Sequence, residues 1–271
     1  MKVLSLFDGI SCARVALERA NIPVELYLAS EVDKYAIQVS QKNYPNIEQL
    51  GSVVDIYSYQ NNFQTEKVNI ACEIDLLIGG SPCQDLSIAK KNRKGLDGER
   101  SGLFWEYVRI LKEVKPKWFI LENVASMSKE SKNIITQAMG VEPIMINASL
   151  VSAQNRKRLF WTNIPNVQQP EDRGILLKDI LESGESDSRI YSPEGKSVSL
   201  SANGGGRGAK TGLYEVENSR VRKLTPVECE RLQGLPDDYT EGISNTQRYK
   251  CLGNAFNVDV VAHILSCIPK K

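Results

Sequence analysis

The 271-residue sequence predicts an α/β fold, a doubly wound parallel sheet carrying a small insert. Three observations predict it. Short apolar runs ending in Gly, Asp or Glu alternate with amphipathic stretches over residues 1–164. That alternation breaks near Pro165, and residues 165–220 are polar and rich in Gly and Ser. Helical patterns return over 221–271, which reads as a C-terminal return to the core.

Val3-Leu4-Ser5-Leu6-Phe7 reads as the first strand, and Ala13 to Ala20 as the first helix. Glu25 to Glu31 is a second strand, followed by a helix from Lys34 to Lys42. Strand patterns recur at 74–79, 117–122, 143–148 and 158–162, with helices over 101–114 and 130–139 between them. Such alternation implies parallel strands joined by crossover helices. In the insert, Ser197 to Ala202 alternates like a strand, and Asn203-Gly204-Gly205-Gly206-Arg207-Gly208 reads as a mobile loop. Thr225-Pro226-Val227-Glu228 combines an N-cap residue, Pro at the first helical position and Glu at the third. It starts a helix over 225–233, and another follows over 255–267.

Composition narrows the function classes. With 41% hydrophobic and 25% charged residues, the chain reads as an ordinary soluble globular protein. A net charge of +1 gives no global polyelectrolyte signal, so a nucleic-acid partner must be met by local patches. Lys90-Lys91-Asn92-Arg93-Lys94 and Arg156-Lys157-Arg158 are two candidates, although charge runs are commonly just solvated loops. The six cysteines form no CxxC pair and lack partnering histidines, which argues against a metal site. The sole histidine, His263, sits in an apolar helical pattern and reads as structural. The N-terminal apolar run is too short for a signal peptide, and no run approaches a membrane span. These features predict a reduced, cytoplasmic monomer or weak oligomer.

The chemistry concentrates at two strand ends. Asp75-Leu76-Leu77-Ile78-Gly79-Gly80-Ser81-Pro82-Cys83-Gln84 delivers one thiol to the rim of the sheet. Trp118-Phe119-Ile120-Leu121 ends in Glu122-Asn123-Val124. Neighbouring strands would bring thiol and carboxyl into one crevice, a covalent-catalysis arrangement. A buried structural cysteine and a surface glutamate are the alternative. On the other side, Phe7-Asp8-Gly9-Ile10-Ser11 opens the first helix, where a nucleotide-type ligand meets backbone N–H groups. It is not a GxGxxG cradle. Glu31 ends the second strand, where an acid commonly binds ribose hydroxyls. Asp55, in Gly51-Ser52-Val53-Val54-Asp55-Ile56, could accept a bond from an adenine amino group. Helix capping is the alternative for each acid. Together they point to an adenosine ligand without a diphosphate, S-adenosylmethionine rather than NAD.

The ordered set Phe7-Asp8-Gly9, Glu31, Asp55, Pro82-Cys83-Gln84, Glu122-Asn123-Val124, Gln154-x-Arg156-x-Arg158, Arg231-Leu232-Gln233-Gly234-Leu235-Pro236-Asp237 and Gly253-Asn254 resembles the cytosine-5 DNA methyltransferase family. It spans nearly the whole chain. Gly80-Ser81-Pro82-Cys83, Asp85-Leu86-Ser87-Ile88 and Val151-Ser152-Ala153 resemble the catalytic domain of the eukaryotic de novo enzymes. Gln84, Gln154 and Gly253-Asn254 look like bacterial and phage restriction–modification enzymes.

The resemblance implies a Rossmann-like class I methyltransferase sheet acting on double-stranded DNA, with a cognate restriction endonuclease as candidate partner. It implies Cys83 as nucleophile toward carbon 6 of a flipped-out cytosine, Glu122 on N3 and the exocyclic amine, Arg158 on O2, and Arg156 on the thiolate side. S-adenosylmethionine, leaving as S-adenosylhomocysteine, would be held by Phe7, Asp8, Gly9, Ile10, Glu31, Val32, Asp55, Ile56, Pro82, Leu103, Asn254 and Phe256. Core packing is the alternative for Phe256. DNA contacts would come from Gln84, Ser87, Lys91, Arg93 and Asn123, in and around a loop that closes over the base. The 165–220 insert would read the target, with Arg207 as a guanine reader; a solvated loop is the alternative. Ser11 and Cys12 depart from the small or glycine residues of many relatives. Three rivals stand beside this reading: a transfer RNA methyltransferase of the same fold, a catalytically inactive DNA-binding regulator, and a nicotinamide-dependent oxidoreductase.

Overall fold

The computed structural model describes residues 1–59, 62–64, 69–81, 99–182, 194–200, 214–216 and 220–269. Among the described residues the strands are β1 (Lys2–Leu6), β2 (Leu26–Ser30), β3 (Glu48–Gln49), β4 (Tyr57–Tyr59), β5 (Asn62–Gln64), β6 (Asn69–Ala71), β7 (Leu76–Gly79), β8 (Trp118–Val124), β9 (Ile144–Asn147), β10 (Lys157–Thr162), β11 (Tyr214–Val216) and β12 (Arg220–Arg222). The helices are α1 (Cys12–Arg19), α2 (Lys34–Asn43), α3 (Glu99–Val114), α4 (Lys129–Met139), α5 (Pro226–Gln233), α6 (Asn245–Asn254) and α7 (Val258–Ser266).

Seven strands form one Rossmann-like sheet in the order β3-β2-β1-β7-β8-β10-β9. Side chains of the central strands alternate between two cores, as the period of two requires. Val3, Leu76, Ile78 and Ile120 pack on one face with α1, α2 and α7. Leu4, Leu6, Leu77, Phe119 and Leu121 pack on the other with α3 and α4. Burial on both faces explains why these strands read as continuous apolar runs. From β1 the chain moves outward through β2 to β3, then returns to β7 on the other side of β1. Strand order reverses there, so a crevice opens at the carboxyl ends of β1 and β7.

The sheet is mixed, which corrects the all-parallel expectation. β10 pairs antiparallel with both β8 and β9. The β9–β10 connection runs only over residues 148–156, too short for the crossover that a parallel pair needs. Further differences appear: β4, β5 and β6 form a separate three-stranded sheet and β11 and β12 a two-stranded one, neither of which the sequence reading contains. Helix α6 has no counterpart in the sequence reading, because its run Asn-Thr-Gln-Arg-Tyr-Lys-Cys-Leu-Gly-Asn buries little beyond Tyr249, Cys251 and Leu252. Of the strand expected over 197–202, Ser197 makes only an isolated bridge to Gln154, and residues 201–202 lie outside the described residues. The helix at Pro226 forms as its capping box predicts: Glu228 N donates to Thr225 Oγ1 at 3.2 Å, and Thr225 N donates to Glu228 Oε2 at 2.7 Å.

β1 and β7 approach closely at their ends. A methyl group on Gly79 would sit 2.7 Å from the Leu6 carbonyl oxygen and 3.2 Å from the Tyr107 ring. Backbone cannot yield as a flexible side chain can. Gly79→Ala is therefore expected to cost roughly 1–3 kcal/mol, as overpacked sites do. A thermal melt should show a lowered Tm; an unchanged Tm would mean that the two strands can move apart freely.

Candidate active site

The chain leaves β1 through a strained turn. Phe7, Gly9 and Ser11 all have φ near +60° (56°, 61° and 60°), a region unfavourable for the two non-glycine residues. Buried hydrogen bonds hold the turn. Ser11 Oγ donates to Asp8 Oδ2 at 2.5 Å, and Tyr27 Oη donates to Asp8 Oδ1 at 2.6 Å. Ser11 Oγ also lies 2.6 Å from Ser40 Oγ on α2. Gly9 N donates to Glu31 Oε2 at 2.8 Å. Burial pushes the Asp8 carboxyl up to about 6, against the lowering effect of its hydroxyl donors.

Glu31 stands just beyond β2. Its Oε1 accepts from Val32 N at 2.7 Å and Asp33 N at 2.8 Å. Three backbone donors therefore fix the carboxylate. Asp33 caps α2 by accepting from Tyr35 N at 3.0 Å, and Lys250 Nζ of α6 reaches its Oδ2 at 2.5 Å. Partial burial works against the Asp33 charge, but the Lys250 ammonium and backbone donors outweigh it and hold the carboxyl below its ordinary value.

On the other side of the crevice, β8 presents Glu122 opposite Phe160 of β10, and Arg158 lies opposite Val124. Arg158 Nε donates to Glu122 Oε1 at 2.7 Å, with the side chains only 17% and 13% exposed. Gly80 faces this pair. A methyl group there would lie 3.0 Å from Glu122 Oε2 and 2.9 Å from the Phe256 ring. One cavity of about 310 Å³ joins the two sides. Phe7, Asp8, Gly9, Ile10, Glu31, Val32, Leu103, Asn254 and Phe256 line it, and so do Glu122, Arg156 and Arg158.

The structure places several expected residues differently. Asp55 is exposed on a 3-10 turn over Val53–Asp55, and Ile56 is fully buried in the core. The turn brings Ser52 and Val53 to the cavity instead. Asn123, expected at the DNA, is 1% exposed, because alternation along β8 points it away from Glu122. Its Nδ2 donates to Ser81 Oγ at 3.2 Å, which ties β8 to the segment after β7. Arg156, expected on the thiolate side, is 3% exposed, and its guanidinium donates to backbone carbonyls of Leu200, Gly253 and Ala255. Pro82, Cys83, Gln84, Ser87, Lys91, Arg93 and Arg207 lie outside the described residues. Lys250 and Cys251 line the cavity without having been expected. They belong to α6, the helix whose pattern was too weak to read. Among the described residues, no group of three or more His, Cys, Asp or Glu could hold a metal ion, and no helix is long and apolar enough to cross a membrane.

The family described as C-5 cytosine-specific DNA methylase matches residues 1–189 and 178–270 of this chain. The chain is 30% identical to the Type II methyltransferase M.HhaI of Haemophilus parahaemolyticus, covering 97% of this chain and 93% of that protein. It is 28% identical to the Type II methyltransferase M.NlaX of Neisseria lactamica, covering 97% and 94%. Among solved structures it is similar to the Entamoeba histolytica methyltransferase EhMeth (TM-score 0.78, 18% identity, covering 98% and 97%) and to S. pombe Dnmt2 methyltransferase (0.71, 17%, also 98% and 97%). Those two likenesses establish a shared fold.

The raised Asp8 carboxyl makes stability pH-dependent. The folded state holds this proton up to about pH 6, whereas an ordinary Asp releases it near 3.8. The group's contribution is therefore full below about pH 4 and lost as pH rises through about 6. A displacement of this size corresponds to roughly 3 kcal/mol. Urea unfolding of Asp8→Asn should show that slope removed, with the variant gaining relative stability between pH 4 and 6.5. Parallel pH profiles for variant and parent would contradict the assignment.

Proposed function

The chain belongs to the C-5 cytosine-specific DNA methylase family and is a DNA (cytosine-5-)-methyltransferase, and on that premise we propose that Cys83 attacks a cytosine flipped out of double-stranded DNA. The observation that carries this reading is the Glu122–Arg158 pair, 2.7 Å apart, in the same cavity as Glu31 and Phe256. A base held by the pair would lie beside a ligand held by the carboxylate.

The residues present fit S-adenosylmethionine. Glu31 is a carboxylate fixed by three backbone donors, which leaves one lone pair on Oε2 for a ribose hydroxyl. Leu103 and Phe256 supply apolar surface for the adenine. No glycine-rich pyrophosphate cradle is present in the turn after β1, and this cofactor needs none. When bound, the cofactor supplies an electrophilic methyl group.

The chain's own groups do the rest. The base must leave the stack, because its ring faces are unreachable inside a duplex. Arg158 would hold the cytosine O2 while Glu122 accepts from the exocyclic amine and supplies the proton that N3 takes up. This draws electron density from the ring and opens carbon 6 to the Cys83 thiolate. Carbon 5 then becomes the nucleophile that accepts the methyl group. Loss of the carbon-5 proton to water, departure of the thiolate and return of the N3 proton to Glu122 restore the aromatic ring. Lys91 and Arg93 would contact phosphates, Gln84, Ser87 and Arg207 would lie against the DNA, and the 165–220 insert would read the target. A cognate restriction endonuclease is the proposed partner, and the proposed setting is the cytoplasm.

The direct test is methyl transfer from labelled S-adenosylmethionine to unmethylated plasmid DNA and to transfer RNA, with bisulfite sequencing of the DNA. Label in DNA at one recurrent motif is the expected result; label in RNA alone would sink the DNA assignment. With 5-fluorocytosine DNA, Cys83→Ser should yield no covalent complex, and persistent trapping would move the nucleophile elsewhere. Glu122→Gln should keep DNA binding and lose turnover by roughly 10²- to 10⁴-fold. Near-normal turnover would refute its role.

A further inference from the structure

The buried Arg156 guanidinium joins two parts of the molecule that have separate tasks in the reading above. On one side, its Nη2 donates to Ala255 O at 2.8 Å and to Gly253 O at 3.4 Å. These carbonyls flank Asn254, and Phe256 follows; both line the cavity. On the other side, Nη1 donates to Leu200 O at 3.2 Å. Leu200 ends a described stem of the 165–220 insert. That stem is laced to the segment bearing Arg156: Ser197 N donates to Ala153 O at 2.7 Å, and Asn155 N donates to Ser197 O at 2.8 Å. Lys196 Nζ adds bonds to the carbonyls of Ser149 at 2.7 Å and Ser152 at 3.3 Å.

A charge at 3% exposure needs its donors spent well. Arg156 spends them on backbone at two separate places, 44 residues and 97 to 99 residues further along the chain. A planar fork can bridge separated carbonyls in a fixed relation, whereas an ammonium is a single point on a flexible stem. A cofactor that orders residues 253–256 thereby acts on the same guanidinium that orders the stem.

We propose that Arg156 is a positioning residue that couples cofactor binding to target reading, by holding the Gly253–Phe256 wall and the Leu200 stem in one arrangement. This rests on the proposed cofactor and DNA reading. Coupling is reciprocal: if S-adenosylhomocysteine tightens DNA binding, DNA tightens S-adenosylhomocysteine binding by the same factor. Couplings of this kind are typically about 5- to 150-fold.

The experiment is calorimetric titration of S-adenosylhomocysteine into the full chain, with and without fragments of unmethylated plasmid DNA, for the parent protein, Arg156→Lys and Arg156→Ala. The parent should bind at least about fivefold more tightly when DNA is present. Arg156→Lys should keep measurable affinity for each ligand alone, with the enhancement reduced below about twofold. Hydrogen exchange gives a second readout that is independent of activity. S-adenosylhomocysteine alone should protect residues 253–256 and 196–200 in the parent, but only 253–256 in Arg156→Lys. If Arg156→Ala does not fold, Arg156→Lys and the exchange pattern still decide. Equal enhancement and equal spread of protection in parent and Arg156→Lys would overturn the proposal alone. Failure of the parent to bind S-adenosylhomocysteine would remove the cofactor reading, and the coupling with it.

Discussion

A sheet buried on both faces can carry chemistry only at its strand ends, and the rest of this molecule follows from that constraint. The central strands fill both faces with Leu, Ile, Val and Phe, leaving no room for polar work between the helices. The residues that line the cavity therefore stand where strands stop: Phe7 to Gly9 after β1, Glu31 after β2, Gly80 after β7, and Glu122 near the end of β8. The reversal of strand order at β1 and β7 opens space between those ends. The tight approach of Gly79 to Leu6 and the packing of Gly80 against Phe256 and Glu122 set the crevice width.

Within the crevice, charge is placed in pairs with different degrees of burial. Glu122 and Arg158 are mostly shielded, so they hold each other in one geometry at the cavity wall. Asp33 and Lys250 are more exposed, and their pair joins α6 to the start of α2 at the cavity mouth. A partly exposed pair contributes little to stability, so its main consequence is position. Asp8 is different again. The hydroxyls of Ser11 and Tyr27 hold it, and it stabilises a backbone turn that two non-glycine residues would otherwise avoid.

The C-terminal segment completes the site although it comes last in the chain. Helix α7 packs on α1, and α6 contacts α2 and α5. This return brings Asn254 and Phe256 to the same cavity as Glu31. The carbonyls of Gly253 and Ala255 remain unpaired within regular structure at the end of α6, and Arg156 meets them. A helix end, a buried cation and the backbone at Leu200 thus meet at one point, which makes Arg156 an architectural residue as well as a cavity wall.

The central strands and the helices between them were legible from residues alone, because apolar runs bounded by glycine or acid have few other readings. β1, β2, β7 and β8 fall where their patterns predict, and the Thr225–Glu228 capping box starts α5. The motifs likewise pointed to Glu31, Glu122 and Arg158, because each sits at or near a strand end where topology forces exposure to the crevice. Tertiary structure alone decided the direction of β10, which depends on a connection too short to cross the sheet. It decided that Asn123 turns inward to Ser81 while its neighbour Glu122 faces the cavity, a difference set by strand register. It also sent Arg156 to backbone carbonyls that lie 97 and 99 residues further along the chain. Local sequence carries propensity and period, but the aim of a side chain is set by partners that only folding brings within reach.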